Sequence, residues 1–203
     1  LRAIEDILNN SSDRKVQENA IFALNQHNSP RASAILRSWA ESNSRPADLR
    51  KNAIFHLGQN RDSQNGPFLR ELYGKLPSRE LKEQVLFALS QRRGEGHEQW
   101  MMQVALDESE SIDVRKSAIH WAGQSRGTAV ADFARLYDQS RNREIKNQVI
   151  FALSQRRETA AVDKLLDIAR RETDRELKKS AIFWLGQSKD PRVQQLLLEI
   201  ISG

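Results

Sequence analysis

An eleven-residue phrase recurs six times in this chain of 203 residues. The copies are Val16–Gln26 (VQENAIFALNQ), Leu49–Gln59 (LRKNAIFHLGQ), Leu81–Gln91 (LKEQVLFALSQ), Val114–Gln124 (VRKSAIHWAGQ), Ile145–Gln155 (IKNQVIFALSQ) and Leu177–Gln187 (LKKSAIFWLGQ), set 33, 32, 33, 31 and 32 residues apart. A period of that length without strand-like alternation belongs to stacked helix pairs, because one pair cannot bury its own apolar face and must be covered by the next. The expected fold is all-α: a right-handed α-solenoid of about six helix pairs plus a final helix, forming one domain. Its repeats fall at about 1–28, 29–61, 62–93, 94–126, 127–157 and 158–189, with the terminal helix at 190–203.

Composition suits an array with much surface, since 38% of residues are hydrophobic and 29% are charged. No run reaches the roughly 18 apolar residues of a membrane span, so no membrane insertion is expected. Zero cysteines exclude disulfides, thiolate metal sites and cysteine nucleophiles. A net charge of +5 permits contact with nucleic acid without requiring it.

Counting each phrase from its first residue as position 0, apolar side chains occupy positions 0, 4, 5 and 8 in every copy, which makes one stripe of an amphipathic helix and hence the core. Asp13, Ser78, Ser111, Asn142 and Asp174 stand three residues earlier, where a side-chain oxygen caps the free N–H groups of a first helical turn. The second copy has Pro46 there, expected as a first helical residue. Partner helices are expected at 1–8, 30–42, 67–76, 97–106, 128–137, 159–171 and 191–201, the last carrying Leu196, Leu197, Leu198, Ile200 and Ile201. A longer period is superimposed, because Ser78–Arg93 reappears as Asn142–Arg157. Position 7 holds His56, Trp121 and Trp184 in one repeat type and Ala23, Ala88 and Ala152 in the other, with Gly58, Gly123 and Gly186 only beside the large residues. Large residues are expected to meet small ones across adjacent helices.

With Leu49-Arg50 leading to Leu57-Gly58, and Val114-Arg115 to Ala122-Gly123, the chain resembles HEAT-like repeats of the short, bilin lyase-type form over essentially its whole length. The resemblance implies that the second helix of each pair lines a concave surface, with positions 2, 3, 6 and 10 facing out of it. Position 6 is Phe22, Phe55, Phe87, His120, Phe151 and Phe183. Beside it stand Asn19, Asn52, Gln84, Ser117, Gln148 and Ser180 at position 3, and Gln26, Gln59, Gln91, Gln124, Gln155 and Gln187 at position 10. Rings flanked by amides are what a groove for a protein or peptide segment needs. The other reading is that each ring packs in the crevice between repeats and each glutamine caps a carbonyl of the adjacent helix.

Basic residues also recur at the ends of the second helices: Arg61, Arg92, Arg93, Arg126, Arg156, Arg157 and Lys189. Each is explained by a helix C-terminus, or as part of a basic edge along which nucleic acid lies. At position 1, Arg50, Lys82, Arg115, Lys146 and Lys178 follow acids at position −1 and are expected to form an inter-repeat ion-pair ladder. Metal hydroxylases of the resembled architecture use recurrent His-Glu pairs, of which this chain has one, His97-Glu98, and its other histidines His27, His56 and His120 share no register. The sequence therefore predicts no catalytic, metal or cofactor site. It predicts a monomeric, non-enzymatic scaffold that binds a protein segment; the alternatives are a nucleic-acid binder using the basic edge and an enzyme of the glycosylase or lyase kind. The resemblance leans the address toward the bacterial cell envelope.

Overall fold

The computed structural model describes residues 1–203 apart from the side chain of Ile201, so the apolar role expected of that residue lies outside the described residues. Among the described residues there are thirteen α-helices and no strand. In chain order they are α1 (Arg2–Asn10), α2 (Arg14–His27), α3 (Pro30–Glu41), α4 (Ala47–Gln59), α5 (Asn65–Lys75), α6 (Arg79–Ser90), α7 (His97–Leu106), α8 (Ile112–Gln124), α9 (Val130–Gln139), α10 (Arg143–Ser154), α11 (Thr159–Arg171), α12 (Arg175–Leu185) and α13 (Pro191–Ser202). The even-numbered helices carry the repeated phrase. Among the described residues no helix is long and apolar enough to cross a membrane.

The capping residues do what their chemistry dictates. Asp13, Ser78, Ser111, Asn142 and Asp174 each accept a backbone N–H of the first turn, for example Asp13 Oδ1 from Lys15 at 2.8 Å and Asn142 Oδ1 from Ile145 at 3.0 Å. Pro46 corrects the expectation by one place: it precedes α4 as its cap residue, with no side-chain bond.

The chain forms two compact units, Leu1–His97 and Glu98–Gly203. In the first, α2, α4 and α6 lie side by side, with α1, α3 and α5 packed behind them. In the second, α8, α10 and α12 form the row, with α9 behind α10 and α11 behind α12. Each core is the predicted stripe. Ala53, Ile54, Leu57, Val85, Leu86, Leu89, Val149, Ile150 and Leu153 are buried, as are their counterparts at nearly every copy. The exceptions lie in the first and last copies, where Val16 is exposed and Ile182 half-buried.

Two expectations about packing need correction. At position 1, Arg50 and Arg115 turn away from the acids at −1. Arg50 and Arg115 are buried and donate Nε–H to the carbonyls of Ala40 (3.0 Å) and Ala105 (2.8 Å), at the end of the helix behind. Lys82 and Lys146 lie over the rings of Tyr73 and Tyr137, where a stem can bury against an aromatic face. Two of those acids, Asp48 and Glu144, form their inter-repeat ion pairs with bases at other positions, Arg14 at 3.4 Å and Lys116 at 3.1 Å. Nor does the large-and-small alternation pair a large residue with a small one. Gly58 at position 9 faces Ala88 at position 7 of the next copy, so closely that a Cβ on Gly58 would stand 2.7 Å from the Ala88 Cα. Gly123 faces Ala152 in the same way, with 3.3 Å between the two Cβ positions. Small meets small, and α4 therefore approaches α6 backbone to backbone.

Candidate functional site

The large residues of position 7 turn instead to the rings of position 6. His56 lies edge-on to Phe22 (5.9 Å between centroids) and to Phe55 (5.2 Å), and Phe55 stacks on Phe87 at 6.0 Å with 10° between their planes. In the second unit Trp184 lies edge-on to both Phe151 (5.2 Å) and Phe183 (5.1 Å), and Trp121 to His120 (4.7 Å). In the first unit these contacts make a ribbon across α2, α4 and α6; in the second they join α10 to α12, with His120 and Trp121 paired on α8. Sequence reasoning assigned His56, Trp121 and Trp184 chiefly to packing between repeats; their alternation with alanine was the signal that they join these rings.

Exposure differs along the row of rings. Phe22 and Phe183 remain 53% and 60% exposed and Phe55 37%, while Phe87, His120 and Phe151 are half-buried. The rings meet face to face at Phe55 and Phe87 and edge-on elsewhere, so the row offers ring edges and apolar surface to solvent. The six glutamines are all exposed. Gln91 and Gln155 donate to the hydroxyls of Ser90 and Ser154, each at 3.1 Å, and no bond from a glutamine amide of this set to a neighbouring helix carbonyl occurs among the described residues. The capping role considered for them is therefore overturned. At position 3, Asn19 is exposed, while Asn52, Gln84, Ser117, Gln148 and Ser180 are half-buried. The Ser180 hydroxyl donates to Asn147 Oδ1 at 2.7 Å, beside a depression of roughly 410 Å³ that reaches Phe183.

The basic edge separates into two classes. Arg92 and Arg156, at position 11, are structural. Arg92 is 7% exposed and reaches back to the preceding repeat, donating to the carbonyls of Leu57 (3.1 Å), Asn60 and Asp62 (2.8 Å). Arg156 donates likewise to Ser125 (3.0 Å) and Thr128 (2.7 Å). These carbonyls lie at or just past the ends of α4 and α8, where helical partners run out. Each arginine is held by an acid, Glu95 at 2.8 Å and Glu158 at 2.7 Å. The bond from Arg156 pulls the Glu158 carboxyl down to about 2. Burial pushes the Glu95 carboxyl up, but its bonds to Arg92 and His97 outweigh that and leave it below its ordinary value. Arg61, Arg93, Arg126, Arg157 and Lys189, all at position 12, are exposed.

The histidines have separate surroundings. His97 contacts Glu95 at 2.9 Å, while Glu98 accepts from Ser125, so the His97-Glu98 pair of the sequence turns to two different partners. Burial among the rings lowers the pKa of His56. His27 is exposed and His120 half-buried. Among the described residues no three His, Asp or Glu side chains converge as a metal-ligand group.

Rows of paired helices with an exposed face on the second helix of each pair define an α-helical repeat protein. The family model for HEAT repeats matches residues 1–90 and 100–185, and the chain belongs to that family. No curated protein matches the sequence. Among solved structures, the chain is similar to the complex of CpcE and CpcF of phycocyanin lyase from Nostoc sp. PCC7120, at 17% identity over 91% of this chain and 74% of that one, with a TM-score of 0.52. It is also similar to human deoxyhypusine hydroxylase in complex with glycerol, at 18% identity over 97% of this chain and 77% of that one, with a TM-score of 0.43. At 17% identity the likeness to the Nostoc complex is one of fold.

Proposed function

We propose that this protein is a non-enzymatic interaction module whose second-helix face seats a segment of another protein. The observation that carries this reading is the ring ribbon flanked by exposed glutamines. Phe22, Phe55 and Phe183 keep much of their surface in water although a core stripe was available on the same helices. Exposed aromatic area bordered by amides supplies contact surface and hydrogen bonds, the ingredients of an interface hot spot. Phenylalanine and glutamine, which make up most of the face, supply contact area and hydrogen bonds, while its two imidazoles, His56 and His120, pack edge-on against neighbouring rings. The similar helical array from Nostoc sp. PCC7120 occurs as a complex of two proteins, in keeping with a protein occupant.

The test is cross-linking in native extract followed by mass spectrometry, with wild type and a Phe22→Ser/Phe55→Ser variant compared. Lys51, at position 2 of α4, provides a reactive amine on the same helix as Phe55. A partner cross-linked at Lys51 in wild type and lost from the variant, with helicity unchanged, is the expected result. Cross-links confined to the helices behind, or insensitive to the ring change, would place the interface elsewhere.

A further inference from the structure

Among the described residues the five position-12 cations have no hydrogen-bond or ion-pair partner, and the commitments of the acids around them account for this. Arg61, Arg93, Arg126, Arg157 and Lys189 are exposed, and no hydrogen bond or ion pair reaches their side chains among the described residues. Yet an acid stands within two residues of four of them. Asp62, next to Arg61, is taken by Arg37 at 3.1 Å. Glu95, two residues after Arg93, is taken by Arg92 and His97. Glu158, next to Arg157, is taken by Arg156, and Asp190, next to Lys189, by Arg192 at 2.8 Å. The local carboxylates are committed to other bases, and one cation per repeat is left facing solvent in five successive repeats.

Their placement relative to the rings fixes what could use them. Position 12 follows position 6 by six residues and lies in the loop just past the end of the same helix. Neighbouring second helices within a unit lie roughly 8–10 Å apart. A helix with its side chains is about 10–12 Å across, and residues seven apart on one face of it are about 10.5 Å apart. A helix laid across the row of either unit, with its apolar stripe on the rings, would have one flank over the cations and would offer each repeat one flank residue per two turns. An extended strand fits less well, because alternating side chains need separate pockets, and here the rings close on one another. Nucleic acid fits less well at the centre of the first unit, where Phe55 and Phe87 stack on each other and leave fewer ring faces for bases.

We infer that the segment seated on this face is an amphipathic helix with acidic residues along one flank of its apolar stripe, recognised by Arg61 and Arg93 on the first unit and by Arg126, Arg157 and Lys189 on the second. This rests on the proposed role of the ring ribbon and adds the chemistry of the partner. Attraction between unlike flanks would set the direction of the helix and the rate of encounter more than the final affinity. A cation past a helix end is also favoured by the helix dipole, and that explanation requires nothing of a partner, which is what separates the two.

The probe is a displayed library of amphipathic helices with a fixed leucine stripe and flank positions randomised over Glu, Gln, Lys and Ala, selected against the full chain. The expected result is enrichment of Glu on one flank at heptad spacing, lost when the five cations are changed together to glutamine. The best peptide should bind that variant about tenfold more weakly, and the gap should close in roughly 0.3 M salt. Helicity by circular dichroism shows that both proteins are folded. Selected peptides with neutral or basic flanks would overturn the acidic partner while leaving the ring ribbon as an interface. No enrichment over a Phe22→Ser/Phe55→Ser/Phe183→Ser variant would overturn the interface itself, and this inference with it. A single-stranded oligothymidylate bound through the five cations more tightly than any selected peptide would assign the row to nucleic acid and overturn the inference.

Discussion

The two glycine junctions make opposite predictions from the same substitution. Gly58 and Gly123 both lie inside helices, where replacing glycine by alanine gains about 1 kcal/mol of helix propensity. A Cβ on Gly58 would stand 2.7 Å from both the Cα and the carbonyl oxygen of Ala88, so α6 would have to retreat as a backbone. Overpacking of that kind costs about 1–3 kcal/mol or more, and the steric cost should exceed the propensity gain. At Gly123 the nearest atom is the Ala152 Cβ at 3.3 Å and the next, its Cα, is at 3.8 Å, so a shift of a few tenths of an ångström suffices. We expect Gly58→Ala to destabilise by about 1–2 kcal/mol and Gly123→Ala to stay within about 1 kcal/mol of wild type. The decisive measurement is a pair of double-mutant cycles in urea followed by circular dichroism. Ala152→Gly removes the atom that a Cβ at position 123 would meet and should restore whatever Gly123→Ala lost. Ala88→Gly leaves the opposing Cα and carbonyl in place and should restore little of Gly58→Ala. Equal rescue at both junctions, or a Gly58→Ala protein as stable as wild type, would refute the backbone-contact argument.

Two further outcomes follow from buried polar groups. Arg92→Gln should cost about 2 kcal/mol or more, because the carbonyls of Leu57 and Asn60 lose their buried donor, whereas Arg93→Gln one residue later should stay within about 0.5 kcal/mol; urea midpoints of the two variants check this. The lowered pKa of His56 makes stability depend on pH with a definite sign. As pH falls, the unfolded chain takes up the proton first, near the ordinary 6.5, while the folded chain resists. The stabilisation is therefore complete above 6.5, declines as pH falls toward the folded value, and is flat below it. His56→Leu should flatten that part of a stability profile measured between about pH 7 and pH 5.

Much of the fold was legible because periodicity reports burial directly. Positions 0, 4, 5 and 8 name the core, and Asp13, Ser78, Ser111, Asn142 and Asp174 name the helix starts. What the sequence could not separate were two arginines side by side. Arg92 and Arg93 are the same residue type one position apart, yet the hundred-degree turn between neighbours in a helix, carried into the loop, sends one under the preceding repeat and the other into solvent. At Arg50 and Arg115 the expected ion-pair ladder gives way for a related reason. Charge alternation along a sequence is one-dimensional, and Arg50 and Arg115 had nearer carbonyls behind them than acids beside them. The rings were placed on the right helices, but their mutual stacking depends on side-chain directions that no register position states.

These corrections converge on the meaning of the longer period. In the first unit, the Gly58–Ala88 contact and the Arg92 bonds join the same two repeats; in the second, Gly123–Ala152 and Arg156 do so. Within each unit, α4 on α6 and α8 on α10 are the closest-packed neighbours among the second helices, while α2 on α4 and α10 on α12, which lack both devices, are looser. A small residue at position 9 is useful only if the next copy has a small one at position 7, and an arginine at position 11 only if the preceding helix end leaves carbonyls unpaired. The alternation of repeat types follows: a glycine-bearing copy prepares the seat, and an alanine-bearing copy fills it and closes it with a buried arginine. The large residue of a glycine-bearing copy, His56 in the first unit, then joins the rings on the open face, so the same alternation that locks the repeats also builds the surface proposed to bind.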